Sequence, residues 1–576
     1  MDTGLGFFPR WCRVRRGAHG IRFLTDADSE FALSLPELQA TLFSYIRGAR
    51  PLGEHAETLL ATDVPGMNTH TAVRLLEDWV KAGLLLPEPA AEEANAQNRT
   101  VPDGRENLHS AYACLTAGRD GALARWKQAQ NLGEGTNHQL FVFDDAHTPQ
   151  ATGAQEPRPV TTIDRARREG EASRIPTHLH QDGVPEPEEL LRFLLLGQNT
   201  LTADLPTTGA NRNSALLLSG AEQLICSDDD ILPFIKHLPR PEGAMVADCP
   251  VLFGAPLFDT VFAPDLEALS PEMEEIPSYD AQNELAHLLG PIRLDKLDLS
   301  DAPAESLAIL RRPGCSVHAV SIGCYGARQY SHPFRTFLSR SEHVDDILYD
   351  RASFEKLRVN PLVARHVSEP TIDTGIAFST ALCAIDVRNP RLPFFPLGRK
   401  EDDNYRTLYR ICFPEQLFAS LPVAAFHDPQ YKQPFTDDVF NSYPMDIGAW
   451  THMLTQRFAR RLRHSDGAGR LREMALSFEE FAMLTPEQMR RFLTPLHHAH
   501  YQAMINHIQG ELEVYADPPW WVDERRHALA VLQREQSGGL TETDEELAEY
   551  AEIYRLWGAS LRHWPEIVQI ARRERD

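Results

Sequence analysis

Three consecutive carboxylates, Asp228, Asp229 and Asp230, directly follow the short apolar segment "EQLICS". The segment predicts a buried strand that ends at the acids. Open α/β sheets bind ligands at the carboxyl ends of their strands, and Mg²⁺ and Mn²⁺ prefer carboxylate oxygens. The triplet therefore predicts a divalent-metal site. The alternative interpretation is an acidic turn that lies in solvent.

The residues before this strand, "NRNSALLLSG", predict a helix that begins at Asn211 or Asn213 and ends at Gly220. Arg212 lies at the start of that helix, where backbone N–H groups and a guanidinium together favour anions. We therefore expect Arg212 to be a cation for a diphosphate group.

The overall charge limits the kinds of partner that the protein can bind. The chain has 576 residues, a formal net charge of −25 and 24% charged residues. A surface this acidic repels nucleic-acid backbones and anionic lipid, so we expect no nucleic-acid partner. An acidic enzyme that binds anions needs local cations, which are either arginines or a metal ion.

The eight cysteines occur singly, without a Cys-x-x-Cys pair, as is typical of a reduced compartment. The N-terminal segment "MDTGLGFFPRWCRVRRGAHG" has no apolar stretch long enough for a signal peptide. The longest apolar run, "LLRFLLLG", is shorter than the roughly 18 residues that a membrane span requires. We expect a cytoplasmic protein without a membrane span.

Changes in residue pattern divide the chain into three parts, of which the first is residues 1–87. This part contains the helical segments "SLPELQATLFSYIRG", "LGEHAETLLATD" and "NTHTAVRLLEDWVKAGLLLP". The last begins at Asn68, ends at Gly83 and precedes a short apolar strand. Helices followed by strands predict a small winged-helix domain. The polar segment "EPAAEEANAQNR" then predicts a linker.

The second and third parts differ in their periodicity. Between residues 96 and 430, the short apolar segments "QLFVFDD", "EQLICS", "AVSIGCY", "AFSTALCAID" and "VAAFH" alternate with helical segments. This alternation predicts an α/β sheet flanked by helices. Residues 440–576 show helical periodicity and predict a C-terminal α-helical domain.

Several of these segments carry a family resemblance. The sequence "TTGANRNSALLLSGAEQLICSDDDILP" resembles family 2-like glycosyltransferases of the GT-A fold, in which Gly/Ala-Arg-Asn opens a helix and the next strand ends in the Asp-x-Asp (DXD) motif. Upstream, "TVPDGRENLHSAYACL" resembles the opening of such domains, with Glu106 where proline is usual, and "HQLFVFDDA" resembles their second strand. The resemblance covers residues 96–430 and implies a GT-A-type mixed sheet. Its main departure is the first strand, which is here the polar "EEANAQNRTV" (92–101).

The resemblance implies a set of residues that contact the nucleotide-sugar donor. These are Thr100, Arg105, Asp144, Asp145, Arg212, Asp228 and Asp229. Either Asp144 or Asp145 would face the nucleotide base.

The segment "PLGRKEDDNYR" resembles the acceptor-side Glu-Asp motif of the same family. This implies that Glu401, Asp402 and Asp403 lie near the reacting sugar, with Glu401 and Asp402 as the catalytic residues. If the reaction inverts configuration, we expect Asp402 to take the proton of the acceptor hydroxyl. The alternative is a salt bridge from Asp402 to Arg399 or Lys400.

The segment "LPVAAFHDP" resembles the late histidine motif that completes the metal site of these enzymes. The implied ligands of Mn²⁺ or Mg²⁺ are Asp228, Asp230 and His427. The alternative for His427 is an ordinary hydrogen-bonded histidine of the core.

The order of elements in residues 1–87 is similar to that of PqqD-like winged-helix domains, which bind leader peptides. The resemblance implies that an extended peptide binds as an added strand. The locally basic segment "PRWCRVRRGAHGIR" would suit an acidic peptide. The alternative is a structural or dimerising winged helix.

Taken together, these resemblances imply a metal-dependent glycosyltransferase. It would move a sugar, expected to be a hexose from a UDP-linked donor, to an acceptor hydroxyl or thiol. A ribosomally made peptide or protein is the acceptor that the N-terminal resemblance implies. The alternative is a non-catalytic scaffold or peptide-binding adaptor on a degenerate transferase fold, which the polar first strand favours.

Two histidine groups and one tryptophan pair are expected to be structural rather than functional. They are His178, His180, His497, His498, His500, His507, Trp520 and Trp521. The histidines lack a neighbouring carboxylate or cysteine that would complete a metal site. We expect the tryptophans to pack in the core or at a domain boundary.

Overall fold

The computed structural model describes most of the chain in segments. These are residues 6–9, 13–17, 20–24, 32–35, 50–62, 67–81, 85–87, 110–116, 139–144, 160–175, 186–197, 207–237, 251–253, 258–263, 274–276, 285, 288–292, 297–298, 309–310, 312, 314–327, 348–359, 362–367, 369–375, 378–388, 390–427 and 445–573.

The strands lie between residues 6 and 427. In chain order they are β1 (Gly6–Pro9), β2 (Arg13–Gly17), β3 (Gly20–Leu24), β4 (Ala32–Leu35), β5 (Arg50–Pro51), β6 (Leu85–Pro87), β7 (Ser110–Thr116), β8 (Gln139–Asp144), β9 (Val160–Ile163), β10 (Gln223–Asp228), β11 (Ile231–His237), β12 (Val251–Phe253), β13 (Phe258–Ala263), β14 (Glu274–Ile276), β15 (Gly290–Pro291), β16 (Leu297–Asp298), β17 (Ser316–Ala327), β18 (Leu362–Val367), β19 (Thr371–Asp373), β20 (Leu382–Asp386) and β21 (Gln416–His427).

The helices are shorter near the N-terminus and longest near the C-terminus. In chain order they are α1 (Leu52–Leu60), α2 (Thr69–Lys81), α3 (Arg165–Arg174), α4 (Pro187–Leu196), α5 (Thr208–Leu218), α6 (Arg351–Val359), α7 (Glu401–Cys412), α8 (Ile447–Ala459), α9 (Gly467–Ala482), α10 (Pro486–Val514), α11 (Pro519–Gly538) and α12 (Asp544–Arg573).

A mixed sheet forms the centre of the molecule, as the alternation of elements predicted. Its order includes β21-β17-β20-β10-β7-β8-β9. Strands β9, β8, β7 and β10 are parallel, β20 is antiparallel to β10 and to β17, and β21 is parallel to β17. The carboxyl ends of β7, β8, β10, β17 and β21 therefore lie at the same edge of the sheet, where a ligand site is expected.

The strand next to β10 is β7, which the sequence did not single out. Its residues alternate between two cores: Ala113 and Leu115 pack on one face of the sheet, Tyr112 and Cys114 on the other. Both faces are covered, so β7 consists almost entirely of buried residues. The segment 92–101, in which we expected the first strand, lies outside the described residues, as does the predicted linker.

The C-terminal helices α8 to α12 confirm the predicted helical region, and they share a core with one face of the sheet. Phe395 and Trp557 pack edge to face with ring centroids 5.1 Å apart. The indole N–H of Trp564 donates a 2.8 Å hydrogen bond to the carbonyl of Pro390. The hydrophobic core is thus continuous from the sheet through α5 and α7 to α12.

Residues 390–400, which we call the strap, connect the end of β20 to α7 without forming a helix or a strand. Leu392, Phe394, Phe395 and Leu397 in the strap are fully buried. Buried backbone groups outside regular structure need hydrogen-bond partners. Side chains supply them here: Asn213 exchanges two bonds with the backbone of Phe394, at 2.7 and 2.9 Å.

The N-terminal part contains two three-stranded antiparallel sheets, ordered β5-β1-β6 and β2-β3-β4. Helix α2 begins as predicted, because the side chain of Asn68 accepts a 3.0 Å bond from the backbone of Thr71. Strand β6 follows α2, also as predicted. The first helical segment expected there is wrong at its start, because Ser34 and Leu35 belong to β4, and the rest of it lies outside the described residues. The winged-helix assignment stays a prediction. Of the helices that the structure describes, none has the length and apolarity that crossing a membrane requires.

The close approach of α5 to the strap generates a test of the packing. A Cβ atom added to Gly209 would lie 1.9 Å from the backbone oxygen of Phe395, so Gly209→Ala must displace one of the two elements. We expect a loss of about 2–3 kcal/mol in the free energy of unfolding, measured by urea denaturation.

The matched control is Gly170→Ala in α3, where an added Cβ has no atom within 4 Å. Alanine is the better helix former, so this variant is expected to gain about 0.5–1 kcal/mol. Equal effects of the two substitutions would contradict the packing of α5 on the strap.

Candidate functional site

The first two acids of the triplet have different protein partners. Asp228, the last residue of β10, accepts a 2.9 Å hydrogen bond from the guanidinium of Arg212. Asp229 is 0% exposed and accepts a 2.6 Å bond from the hydroxyl of Thr116, at the carboxyl end of β7. The two carboxylates are therefore directed to separate groups, which relieves their repulsion.

The third acid, Asp230, lies beside the predicted histidine. Strand β11 pairs with β21, and this register sets Ile231 opposite His427. A carboxylate oxygen of Asp230 is 3.7 Å from Nε2 of His427, and the two side chains are 13% and 19% exposed. The structure thus brings Asp230 and His427 together at the edge where the parallel strands end, while their role as metal ligands stays a prediction.

Arg212 is buried beneath the acids, with 2% of its side chain exposed. Besides Asp228, it approaches a carboxylate oxygen of Glu401 at 3.6 Å. Burial disfavours the charged guanidinium, but these two acids raise the pKa of Arg212 above its ordinary value, so it stays ionised. Arg212 thus holds Asp228 and Glu401, while its contact with a diphosphate stays a prediction.

Helix α5 begins at Thr208, before the predicted start, and the two asparagines expected at its start lie inside it. The amide of Asn211 donates to the carbonyls of Thr116 and Phe143, at 3.1 and 2.9 Å, and so joins α5 to the ends of β7 and β8. Asn213 bonds the strap. Both asparagines lie inside the helix and bond neighbouring elements, so the prediction that one of them caps α5 is wrong.

The acidic start of α7 contains two carboxyl groups with raised pKa values. Burial, followed by the charge of Asp402, raises the pKa of Glu401 to about 7, although Arg212 opposes the shift. Burial and then the charge of Asp403 raise the pKa of Asp402. A carboxyl group with a pKa of about 7, as in Glu401, exchanges its proton near neutral pH, which suits acid–base chemistry.

The third acid of α7 behaves differently. Burial opposes the ionisation of Asp403, but Arg406, which donates a 2.5 Å hydrogen bond to it, lowers its pKa below the ordinary range. Asp402 forms no ion pair with Arg399 or Lys400, all three of which the structure describes. The salt-bridge alternative for Asp402 is therefore not supported.

Of the other predicted donor contacts, Asp144 is described and ends β8. Its backbone carbonyl accepts a 2.8 Å hydrogen bond from the buried Arg168. Thr100, Arg105 and Asp145 lie outside the described residues. The donor side of the site is thus described only in part.

Sequence reasoning missed Thr116 and the pair of thiols beneath the site. Thr116 directly follows the apolar run "SAYACL", which is the pattern that could have identified both the strand and its terminal hydroxyl. Cys226 and Cys383 lie opposite each other on β10 and β20. Burial raises the pKa of Cys226 to about 12, so this thiol stays protonated and unreactive.

Of the histidines and tryptophans that we expected to be structural, His507 and both tryptophans have protein partners or are buried. Trp521 is fully buried, and the indole N–H of Trp520 donates to the carbonyl of Leu348 at 2.9 Å. His507 lies 3.5 Å from Glu511. His178 and His180 lie outside the described residues.

The site provides an incomplete set of metal ligands. Among the residues that the structure describes, no three His, Cys, Asp or Glu side chains group closely enough to hold an ion. Asp230 and His427 are two nearby ligands, whereas Asp228 is paired with Arg212. Mg²⁺ in phosphate-transfer sites commonly uses one or two carboxylates together with substrate phosphates and water. Two protein ligands therefore fit an ion that binds together with a diphosphate.

Comparisons of the chain with protein-family models, with curated proteins and with solved structures give no match.

The buried state of Glu401 generates a test by pH. Its pKa is raised from the unfolded value of about 4.5, so between about pH 5 and pH 7 the folded protein keeps a proton that the unfolded chain has lost. The free energy of unfolding should therefore fall as the pH rises through this window. We expect Glu401→Gln to remove this decrease, so that its stability relative to wild type improves by about 2–3 kcal/mol between pH 5 and pH 8.

Urea denaturation of both proteins at each pH measures the difference. Glu487→Gln, at an exposed position of α10, controls for the loss of a carboxylate elsewhere. Parallel pH profiles for wild type and Glu401→Gln would show that Glu401 is not held in the environment described here.

Proposed function

We propose that the protein is a metal-dependent glycosyltransferase, which moves a sugar from a nucleotide-sugar donor to an acceptor hydroxyl or thiol. The observation that carries the proposal is the meeting of two groups at one sheet edge. The first is the Asp230–His427 pair, which offers metal ligands. The second is the chain Asp228–Arg212–Glu401, which connects the triplet to the acidic start of α7.

In the proposed reaction, the triplet and His427 would help to stabilise the leaving group. Departure of a nucleoside diphosphate from the sugar requires that its developing charge be neutralised. Asp230 and His427 would hold Mn²⁺ or Mg²⁺ together with the donor phosphates, and the bound ion would supply Lewis-acid stabilisation of the leaving group. Asp228, restrained by Arg212, would orient the same end of the donor.

The acids of α7 supply the second half of the chemistry. Asp402 would accept the proton of the acceptor nucleophile, because its raised pKa brings its basicity closer to what the transfer of a proton near neutral pH requires. Glu401 directly precedes Asp402 and approaches Arg212, which also bonds Asp228. Glu401 would therefore connect the acceptor-binding acids of α7 to the donor-binding acids after β10 through one buried cation. A hexose from a UDP-linked donor remains our expected substrate class.

The N-terminal sheets are the proposed binding region for a peptide or protein acceptor. Strands β2 and β3 carry Arg13, Arg15, Arg16 and Arg22, and their register sets Arg15 opposite Arg22. Arginines at paired register positions make this hairpin a candidate for binding an anionic chain. An acidic peptide added as a further strand would be such a chain.

A non-catalytic scaffold is the second candidate function. Each acid of the triplet already has a protein partner, so their mutual repulsion alone does not require a bound cation. Titration calorimetry with uridine diphosphate separates the two candidates. A transferase is expected to bind it more tightly when Mn²⁺ is present, whereas a scaffold should release no metal-dependent heat.

Substitution of Asp230 tests the proposed reaction directly. Asp230→Asn keeps the size of the side chain but removes its charge, so it should weaken ion binding. We expect turnover of the active nucleotide sugar, identified from a panel assayed with Mn²⁺, to fall about 100-fold or more. Release of the nucleoside diphosphate is the measurement.

Asp386→Asn is the matched control, because Asp386 lies in the same sheet at the opposite edge, where it faces Gln223 at the start of β10. This variant should keep turnover close to that of wild type. Wild-type transfer that persists undiminished in excess chelator would contradict the metal-dependent mechanism.

A further inference from the structure

The residue that caps α8, Asp446, bonds the backbone just before the start of α7. One carboxylate oxygen of Asp446 caps its own helix by accepting a 2.8 Å bond from the backbone of Ala449. The other oxygen accepts a 2.7 Å bond from the backbone N–H of Arg399, in the strap. One side chain thus fixes two elements that are distant in sequence.

A second contact joins α7 to the same turn of α8. The amide of Asn404, which is fully buried, donates 3.0 Å bonds to the carbonyls of Lys400 and Gly448. Gly448 also lies directly against the strap, since a Cβ atom there would be 1.8 Å from the backbone oxygen of Arg399. Only glycine permits this approach, so α8 and the strap meet backbone to backbone.

The backbone that these contacts restrain is unusual. Lys400 caps α7 with a φ of 67°, a left-handed conformation that a residue with a side chain rarely adopts. Such a conformation is retained only where the surroundings determine it. It sets the direction in which Glu401 and Asp402 leave the strap.

We propose that Asp446 is a positioning residue. By holding the backbone of Arg399, it fixes the left-handed turn at Lys400. That turn keeps Glu401 close to Arg212 and keeps Asp402 at the acceptor side of the site. The inference rests on the proposed transfer reaction only for its kinetic consequence. A small displacement of catalytic groups lowers the rate more than it weakens binding.

The test uses Asp446→Ala and Asp446→Asn. Asparagine is as good a helix cap as aspartate, but it has a single acceptor oxygen, so it can satisfy Ala449 or Arg399 and not both. We expect Asp446→Ala to lower kcat about 100-fold, with a KM for the donor within about threefold of wild type. Asp446→Asn should fold normally and show an intermediate loss of kcat.

Asp466→Ala is the matched control. Asp466 caps α9 in the same way, by accepting a 2.7 Å bond from the backbone of Gly469, but it has no bond to the strap. Its loss should affect stability through a lost cap and leave kcat close to wild type. An equal fall of kcat in Asp446→Ala and Asp466→Ala would overturn the positioning role.

Hydrogen exchange gives a readout that needs no substrate. Amides of residues 399–404 should exchange faster in Asp446→Ala than in wild type, and remain unchanged in Asp466→Ala. Unchanged exchange there, or faster exchange with an unaltered kcat, would refute the inference. A wild-type protein that transfers no sugar would overturn the proposed function and the kinetic half of the inference, whereas the exchange rates decide the structural half by themselves.

Discussion

A single buried cation holds the candidate site together. Arg212 is almost completely removed from solvent, and a buried guanidinium is tolerated only when it is paired and hydrogen-bonded. Its partners, Asp228 and Glu401, belong to β10 and α7, while Arg212 itself belongs to α5. The charge balance of one side chain therefore fixes the relative position of three elements. Removal of Arg212 alone would leave two acids without their countercharge. This would lower the stability more than replacing all three charged side chains by apolar ones.

The strap explains how α7 reaches this cation. Irregular segments are ordinarily found at the surface, because their backbone groups need water. The strap is buried nevertheless, since Asn213, Tyr409 and Trp564 bond its backbone groups in place of water. These side chains come from α5, α7 and α12, so the C-terminal helices help to place an acidic turn that belongs to the sheet region. The helical region is thus part of the support of the site.

Local patterns in the sequence were sufficient for the elements with clear periodicity or a clear apolar run. Strands β8 and β10 and the long helix α12 follow from such patterns, as does the position of the acids after β10. The inward role of Asn213 could not be predicted, because its partner Phe394 is 181 residues away and a helix start is the more common place for asparagine. Strand β7 was missed because burial on both faces removes the alternation that identifies a half-buried strand. Interactions between distant residues, rather than local propensity, place the functional groups.

Protein groups face all three acids of the triplet, and this bears on what a bound metal ion would contribute to folding. In sites where acids converge without other partners, the ion contributes to folding. Here Arg212, Thr116 and His427 already face the three acids, so each acid has a protein partner before any cation binds. On the proposed function, the ion and the donor diphosphate would arrive with opposite charges and so add little net charge to the site. A bound divalent ion would in this way let a protein with a net charge of −25 bind an anionic donor while Arg212 stays buried.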